Sequence, residues 1–328
     1  MILFWVAALA ITILLYVLLD GFDLGVGILF CFTRGEPSRR QMLAAISPVW
    51  DGNETWLVLT AAILFGAFPR VYATLLSAFY LPMILLLASL ILRGVAFEFR
   101  YKTVGIRWLW DIGFAGGSIV ATFVQGLTVG ALVEGIPMAD GQFTGGPLSW
   151  FDPFSCLCGV GLCLGYALLG ASWLVGKTEA ALRSRAYAWM KFILTGVLIF
   201  LAVVFVWSSI DHLRILHRWT ERPYLLGFPT IGLISLLFLV DAIRRHHDSV
   251  PFPMSSLLFF SAFGTLAVSF WPYMIPFSVT INEAAAPPSS LGFMFWGIGL
   301  FVLPLTLIYT AVVYRTFRGK VLGGYEED

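Results

Sequence analysis

Seven ionisable residues sit where a lipid bilayer makes them costly. Asp20 and Asp23 fall in the first apolar run of the chain, Asp51 and Glu54 open the second, Arg93 and Glu98 lie at the end of the third, and Asp111 opens the fourth. A carboxylate at mid-bilayer costs about 2.5–3.5 kcal/mol on insertion scales. Asp20 and Asp23 are three residues apart, as are Asp51 and Glu54, and a helix puts each such pair on one face. Counted from the loop that joins the first two runs, Asp23 and Glu54 lie at similar depth, roughly 10–12 Å at 1.5 Å per residue. Four acids converging between two helices cannot all be ionised, so some must be protonated or paired with Arg93. A row of such carboxyls is a relay for protons from the cytoplasm. A structural reading stands beside this one. Ser47 as N-cap, Pro48 in the first turn and acids at the positive end of the dipole describe an ordinary helix start. Asp20 with Arg93 would then simply tie two helices together.

Composition supplies the membrane. Of 328 residues, 59% are hydrophobic and 12% charged, and the mean hydropathy is +0.89. A soluble domain carries about 25% charged residues, so the outer surface of this chain faces lipid. The net charge of +1 gives no reason to expect nucleic acid. Apolar runs long enough for a bilayer lie at about 3–31, 47–66, 72–97, 110–133, 154–175, 189–210, 225–242, 253–272 and 291–314. The expected fold is an all-α integral membrane protein of about nine transmembrane helices. Fifteen of the 20 Lys and Arg fall in or beside the first, third, fifth and seventh connections and the C-terminal tail. This alternation predicts an N-terminus outside and a C-terminus in the cytoplasm. Gly21–Gly27 and Gly170–Gly176 close the first and fifth spans in similar ways, a weak repeat. It divides the chain into a four-helix half (1–133), an outside loop (134–153), a second four-helix half (154–272), and a ninth peripheral helix with a cytoplasmic tail (291–328). The second half holds only Asp211 and Asp241, at span ends. An ion-coupled secondary transporter, the alternative reading, needs charged or broken helices in both halves.

Other chemistries lack their residues. Cys31, Cys156, Cys158 and Cys163 form no CxxC pair and read as small packing residues. His212, His217, His246 and His247 all lie outside the spans, so no intramembrane histidine is available as a haem ligand. His246-His247 reads as a solvated loop without a metal, and there is no P-loop or dinucleotide fingerprint.

The segments Asp20-Gly21-Phe22-Asp23-Leu24-Gly25-Val26-Gly27 and Ser47-Pro48-Val49-Trp50-Asp51-Gly52-Asn53-Glu54-Thr55-Trp56-Leu57 resemble subunit II of cytochrome bd-type ubiquinol oxidases, including the cyanide-insensitive terminal oxidases. Leu92–Arg100 is similar to that family's third-helix end, and Trp271–Pro276 to its late aromatic-proline segment. The resemblance implies a haem-bearing subunit I as partner, holding haem b and haem d, and quinol oxidation coupled to reduction of O2 to water. It also implies a bacterial inner-membrane location, small single-helix accessory subunits in some members, and a structural ubiquinone, expected here near Trp50 and Trp56. By motif, Asp51 matches the family's proton-path acid and Asp23 the second acid of the first helix, with Asp20 and Glu54 beside them. Arg93, Glu98 and Arg100 are the expected charge partners. Glu54 and Thr55 stand where better-known bacterial members often have Gln and Val, a departure that fits the cyanide-insensitive branch.

Overall fold

The computed structural model describes residues 1–103, 105–139, 142–211 and 223–321. Its helices are α1 (Ile2–Cys31), α2 (Glu36–Ile46), α3 (Trp50–Ala67), α4 (Pro69–Lys102), α5 (Arg107–Glu134), α6 (Pro153–Lys177), α7 (Ala180–Asp211), α8 (Gly227–Arg245), α9 (Pro251–Phe270), the short α10 (Ile281–Ala284), α11 (Pro288–Met294) and α12 (Leu303–Thr316). Each apolar run becomes a helix because lipid offers backbone amides no partner but their own chain. Among the described residues, eight rods are long and apolar enough to cross a membrane, counting Pro288–Thr316 as one. The run at 47–66 forms α3, but Asp51, Asn53 and Glu54 in its first turns lower its hydropathy below that of the others. The outer surface is apolar, with Phe293 at 83%, Phe192 at 79% and Trp296 at 67% exposure.

Helix α1 is central. It packs against α3, α5, α6 and α9, while α4 packs on both α3 and α5. The helices α6, α7, α8 and α9 contact one another in the same circular order. The two circles meet where α6 packs on both α5 and α1, and α1 crosses α6 with their backbones in contact. A Cβ built on Gly25 would lie 1.8 Å from the Tyr166 carbonyl oxygen, and one on Gly170 would lie 2.5 Å from the Val26 nitrogen. Only glycine permits that approach.

Two helices depart from regular geometry. In α4, Phe79 has φ −119° and ψ 25°, three residues before Pro82, whose ring clashes with that turn. Between α11 and α12, Phe295–Val302 is π-helical; Pro304 follows and supplies no N–H to the preceding turn. The segment after α9 forms a small antiparallel pair, Tyr273–Ile275 with Val279–Thr280, and a capping box of Thr280 with Glu283 starts α10. The four cysteines are free; Cys31 is exposed rather than packed, because α1 ends there.

The basic connections gather at one end of the bundle. Arg100, almost wholly buried, donates to both Glu36 oxygens at 3.1 and 2.8 Å, and its Nε reaches Asp111. Arg39 also holds Asp111, at 2.6 Å, and Arg107 lies 3.6 Å from Glu36. Thus α2 is clasped to α4 and α5. Partial burial works against the Glu36 anion, but hydrogen bonds from Arg100 and Arg40 outweigh it and hold the carboxyl below the ordinary glutamate range. A lowered folded-state pKa stabilises above the unfolded value and is lost as pH falls through the folded one. The clasp therefore holds at neutral pH and loosens only as pH falls below the ordinary glutamate range. Limited proteolysis of the loop at residues 32–35, compared between neutral and acid pH, checks this: cleavage should rise on acidification, and Glu36→Gln should already show the rise at neutral pH.

Candidate functional site

Helices α1, α3 and α4 bring a set of charges together inside the apolar bundle. Asp20 and Asp23 are wholly buried, and Arg93 is 1% exposed. The Arg93 Nη1 atom lies 2.9 Å from Asp20 Oδ1, and Nη2 lies 3.4 Å from Glu54 Oε2. Neither contact has hydrogen-bond alignment, and both Asp20 oxygens lack an aligned donor. The guanidinium also lies over the Trp50 ring, 5.7 Å from its centroid, and Trp50 in turn contacts Phe97. Arg93 thus bridges α1 and α3 from α4.

Asp23 is held differently. Asn53 Nδ2 donates to Asp23 Oδ2 at 2.7 Å and to the Leu19 carbonyl at 3.2 Å. The Tyr314 hydroxyl of α12 donates to Asn53 Oδ1 at 2.9 Å, which fixes the amide's orientation. The other Asp23 oxygen has no hydrogen-bond partner. A second polar chain lies one turn back along α1. Gln125 of α5 donates to the Tyr16 hydroxyl at 2.9 Å and accepts from Tyr166 of α6 at 3.0 Å.

The expected convergence of four acids needs correction. Asp20, Asp23 and Glu54 surround Arg93, but Asp51 is exposed. Asp51 shares the α3 face only loosely with Glu54, so it stands at the edge of the cluster and not within it. Glu98 is exposed too, and among the described residues no ion pair reaches it. Arg100 is paired, but with Glu36 and Asp111 in the clasp. Asn53, Tyr314, Tyr16, Gln125 and Tyr166 were not anticipated as site residues. A signal existed for three of them: tyrosines belong at the bilayer interface, whereas Tyr16 and Tyr166 lie mid-span, and Gln125 interrupts an apolar run. His246 and His247 are exposed at the end of α8; His212 and His217 lie outside the described residues.

What the arrangement can do follows from charge counting. Three carboxyls face one guanidinium, with Asp20 and Asp23 wholly buried and Glu54 half-buried at the edge. Fully ionised, the group would carry a net charge of −2, and burial makes that state very costly. Such a group can hold protons.

A family model for cytochrome bd terminal oxidase subunit II matches residues 1–317. The chain belongs to that family. Subunit 2 of the cytochrome bd-I ubiquinol oxidase of Escherichia coli strain K12 is 32% identical over 358 residues, covering 97% of this chain and 94% of the relative. Subunit 2 of the cytochrome bd ubiquinol oxidase of Bacillus subtilis strain 168 is 30% identical, covering 97% and 96%. A chain of the solved bd oxidase from Geobacillus thermodenitrificans has the same fold, with TM-score 0.78 at 15% identity over 96% of this chain and 98% of that one. As a bd oxidase subunit II, the chain is a multi-pass membrane protein and one component of a quinol oxidase, with a subunit I as its partner and the haems in that partner. The transporter reading finds no support in these matches.

Proposed function

We propose that this subunit conducts protons from the cytoplasm toward the oxygen-reducing centre of its partner, in a ubiquinol oxidase of a bacterial inner membrane. The observation that carries the proposal is the crowding of Asp20, Asp23 and Glu54 around the single cation Arg93. In this reading the N-terminus is outside and the C-terminus cytoplasmic, which puts the gathered basic loops on the cytoplasmic side. Protons enter at exposed Asp51, pass to half-buried Glu54 one helical turn deeper, and reach the enclosed aspartates. Arg93 keeps one negative charge in place, so that the remaining carboxyls exchange protons without leaving an uncompensated charge. The two circles of four helices are the two halves of the repeat, and the Pro288–Thr316 rod is the peripheral ninth helix. Small single-helix subunits would dock on the exposed apolar surface.

A structural ubiquinone near Trp50 and Trp56 would have to use the face of Trp50 that Arg93 leaves uncovered. Trp56 is completely enclosed, and one face of the Trp50 ring is occupied by Arg93.

The test is quinol-driven oxygen uptake by the assembled oxidase. Asp51→Asn should slow turnover several-fold, and Glu54→Gln should slow it further, each with normal haem content. Normal turnover in both variants would remove the relay from this chain.

A further inference from the structure

Beneath the segment that follows α12 lies a cavity of about 280 Å³, lined among others by Pro48, Val49, Lys177, Tyr314 and Thr316. Residues 317–321 roof it. The Val321 amide donates to the Lys177 carbonyl at 2.8 Å, Lys177 Nζ donates to the Phe317 carbonyl, and Lys320 reaches Asp248 at 3.1 Å. Asp248 is itself anchored by Arg183 and Tyr187. Partial burial opposes the Asp248 anion, but hydrogen bonds from Arg183, Lys320 and Tyr187 outweigh this and hold its carboxyl below the ordinary aspartate range. The roof is therefore fastened at neutral pH.

Tyr314 lines this chamber and is also the outer member of the chain Tyr314–Asn53–Asp23. Two side chains thus separate the chamber from a buried carboxyl that has one oxygen without a hydrogen-bond partner. At about 30 Å³ per water the chamber has room for several, and ammonium, hydroxyl and backbone groups on its walls give them partners. Pro48 and Val49 place it at the start of α3, on a different approach from the exposed Asp51 and the half-buried Glu54.

We propose that this chamber is a second, hydrated mouth of the proton path, delivering to Asp23 and gated by Tyr314. With Tyr314 on Asn53, the amide shields Asp23. When the ring swings away, chamber water reaches the free Oδ1 oxygen of Asp23. A proton carried on that water passes to the carboxylate, the water stays behind, and bulk solvent resupplies the chamber; no electron moves. Tyr314 is a positioning residue, since it acts through Asn53. The inference rests on the acid cluster being a relay.

The experiment plugs the chamber after the complex has assembled. Thr316 lines it and is exposed, so Thr316→Cys leaves the packed interior untouched. The purified two-subunit oxidase carrying Thr316→Cys is treated with a bulky, water-soluble thiol reagent, with the identically treated parent, which retains its own cysteines, as control. Labelling should lower kcat severalfold, leave the quinol KM unchanged, and be partly offset at lower pH, where protons are more abundant. Tyr314→Phe, which keeps the ring but frees the Asn53 amide, should change the pH profile of kcat without labelling. Asp23→Asn separates the two levels of argument. If Asp23→Asn slows turnover while the labelled Thr316→Cys enzyme and Tyr314→Phe behave as the parent, the chamber is not a proton mouth. If Asp23→Asn itself turns over normally, the relay reading fails and the chamber has nothing to feed.

Discussion

Replacing Arg93 with methionine is expected to leave almost no assembled oxidase in the membrane. The substitution keeps most of the side chain's length but removes the only cation that, among the described residues, pairs with Asp20 and Glu54. Removing one partner of a buried pair costs about 3–5 kcal/mol, because the surviving charge is stranded. Against the 5–15 kcal/mol that holds a typical fold together, that is a large loss, and here the stranded group includes Asp23 as well. The same logic predicts a rescue. In Arg93→Met combined with Asp20→Asn, the carboxylate paired most closely with Arg93 is gone while Asp23 and Glu54 remain, so haem-containing complex should return in part, since the two effects are coupled and not additive. Haem absorbance per unit of membrane protein, measured for both single variants and the double variant, reads this directly. A single Arg93→Met variant that assembles normally would mean that the cluster is already neutral without the guanidinium.

The second large effect lies at the crossing of α1 and α6. A Cβ at Gly25 would sit 1.8 Å from the Tyr166 carbonyl oxygen, well inside an ordinary contact of about 3.5 Å. The obstacle is backbone, so no rotamer change relieves it, and Gly25→Ala must push the two helices apart. Overpacking of this kind typically costs about 1–3 kcal/mol and more where neighbours are rigid. The displacement would also move Tyr166 against Gln125 and spoil the chain to Tyr16. The expected outcome is a lower melting temperature of the purified oxidase and a reduced yield. Gly170→Ala should behave similarly, because its Cβ would meet the Gly25 and Val26 backbone. The double variant should lose less than the sum of the two, since one separation accommodates both methyl groups.

These cases show which features were legible in the sequence. Helix existence was legible because lipid forces every apolar run to satisfy its own backbone. The pairing of Asp20 with Arg93 was within reach because a lone arginine in an apolar run must find an acid. Rotational position was less accessible. Asp51 and Glu54 are three residues apart and were expected to act as one face. The 3.6-residue period nevertheless turns Asp51 outward, while Asn53 and Glu54 face α1 and α4. Contacts across distant sequence were the least legible. Tyr314 reaches Asn53 from 261 residues away, and nothing in the spacing of either residue announces the other. The clasp was missed for a related reason. Arg100 was expected to pair with a charge, but its spacing does not say which: two turns beyond Arg93 it stands at the level of α2, where it meets Glu36. The similar glycine segments indicated a repeat, but not that Gly25 and Gly170 would touch each other.

That the buried carboxyls of this subunit hold and exchange protons during turnover is open to direct observation. Infrared difference spectra of the oxidase, recorded between its oxidised and reduced forms, report protonated carboxyl groups through their C=O stretch, which shifts in heavy water. The wild-type complex should show such a band, and Asp23→Asn should remove or displace it while the haem spectrum stays intact. A wild-type spectrum whose carboxyl region is unchanged by Asp23→Asn and by Glu54→Gln would contradict the account, leaving these acids as fixed anchors for Arg93.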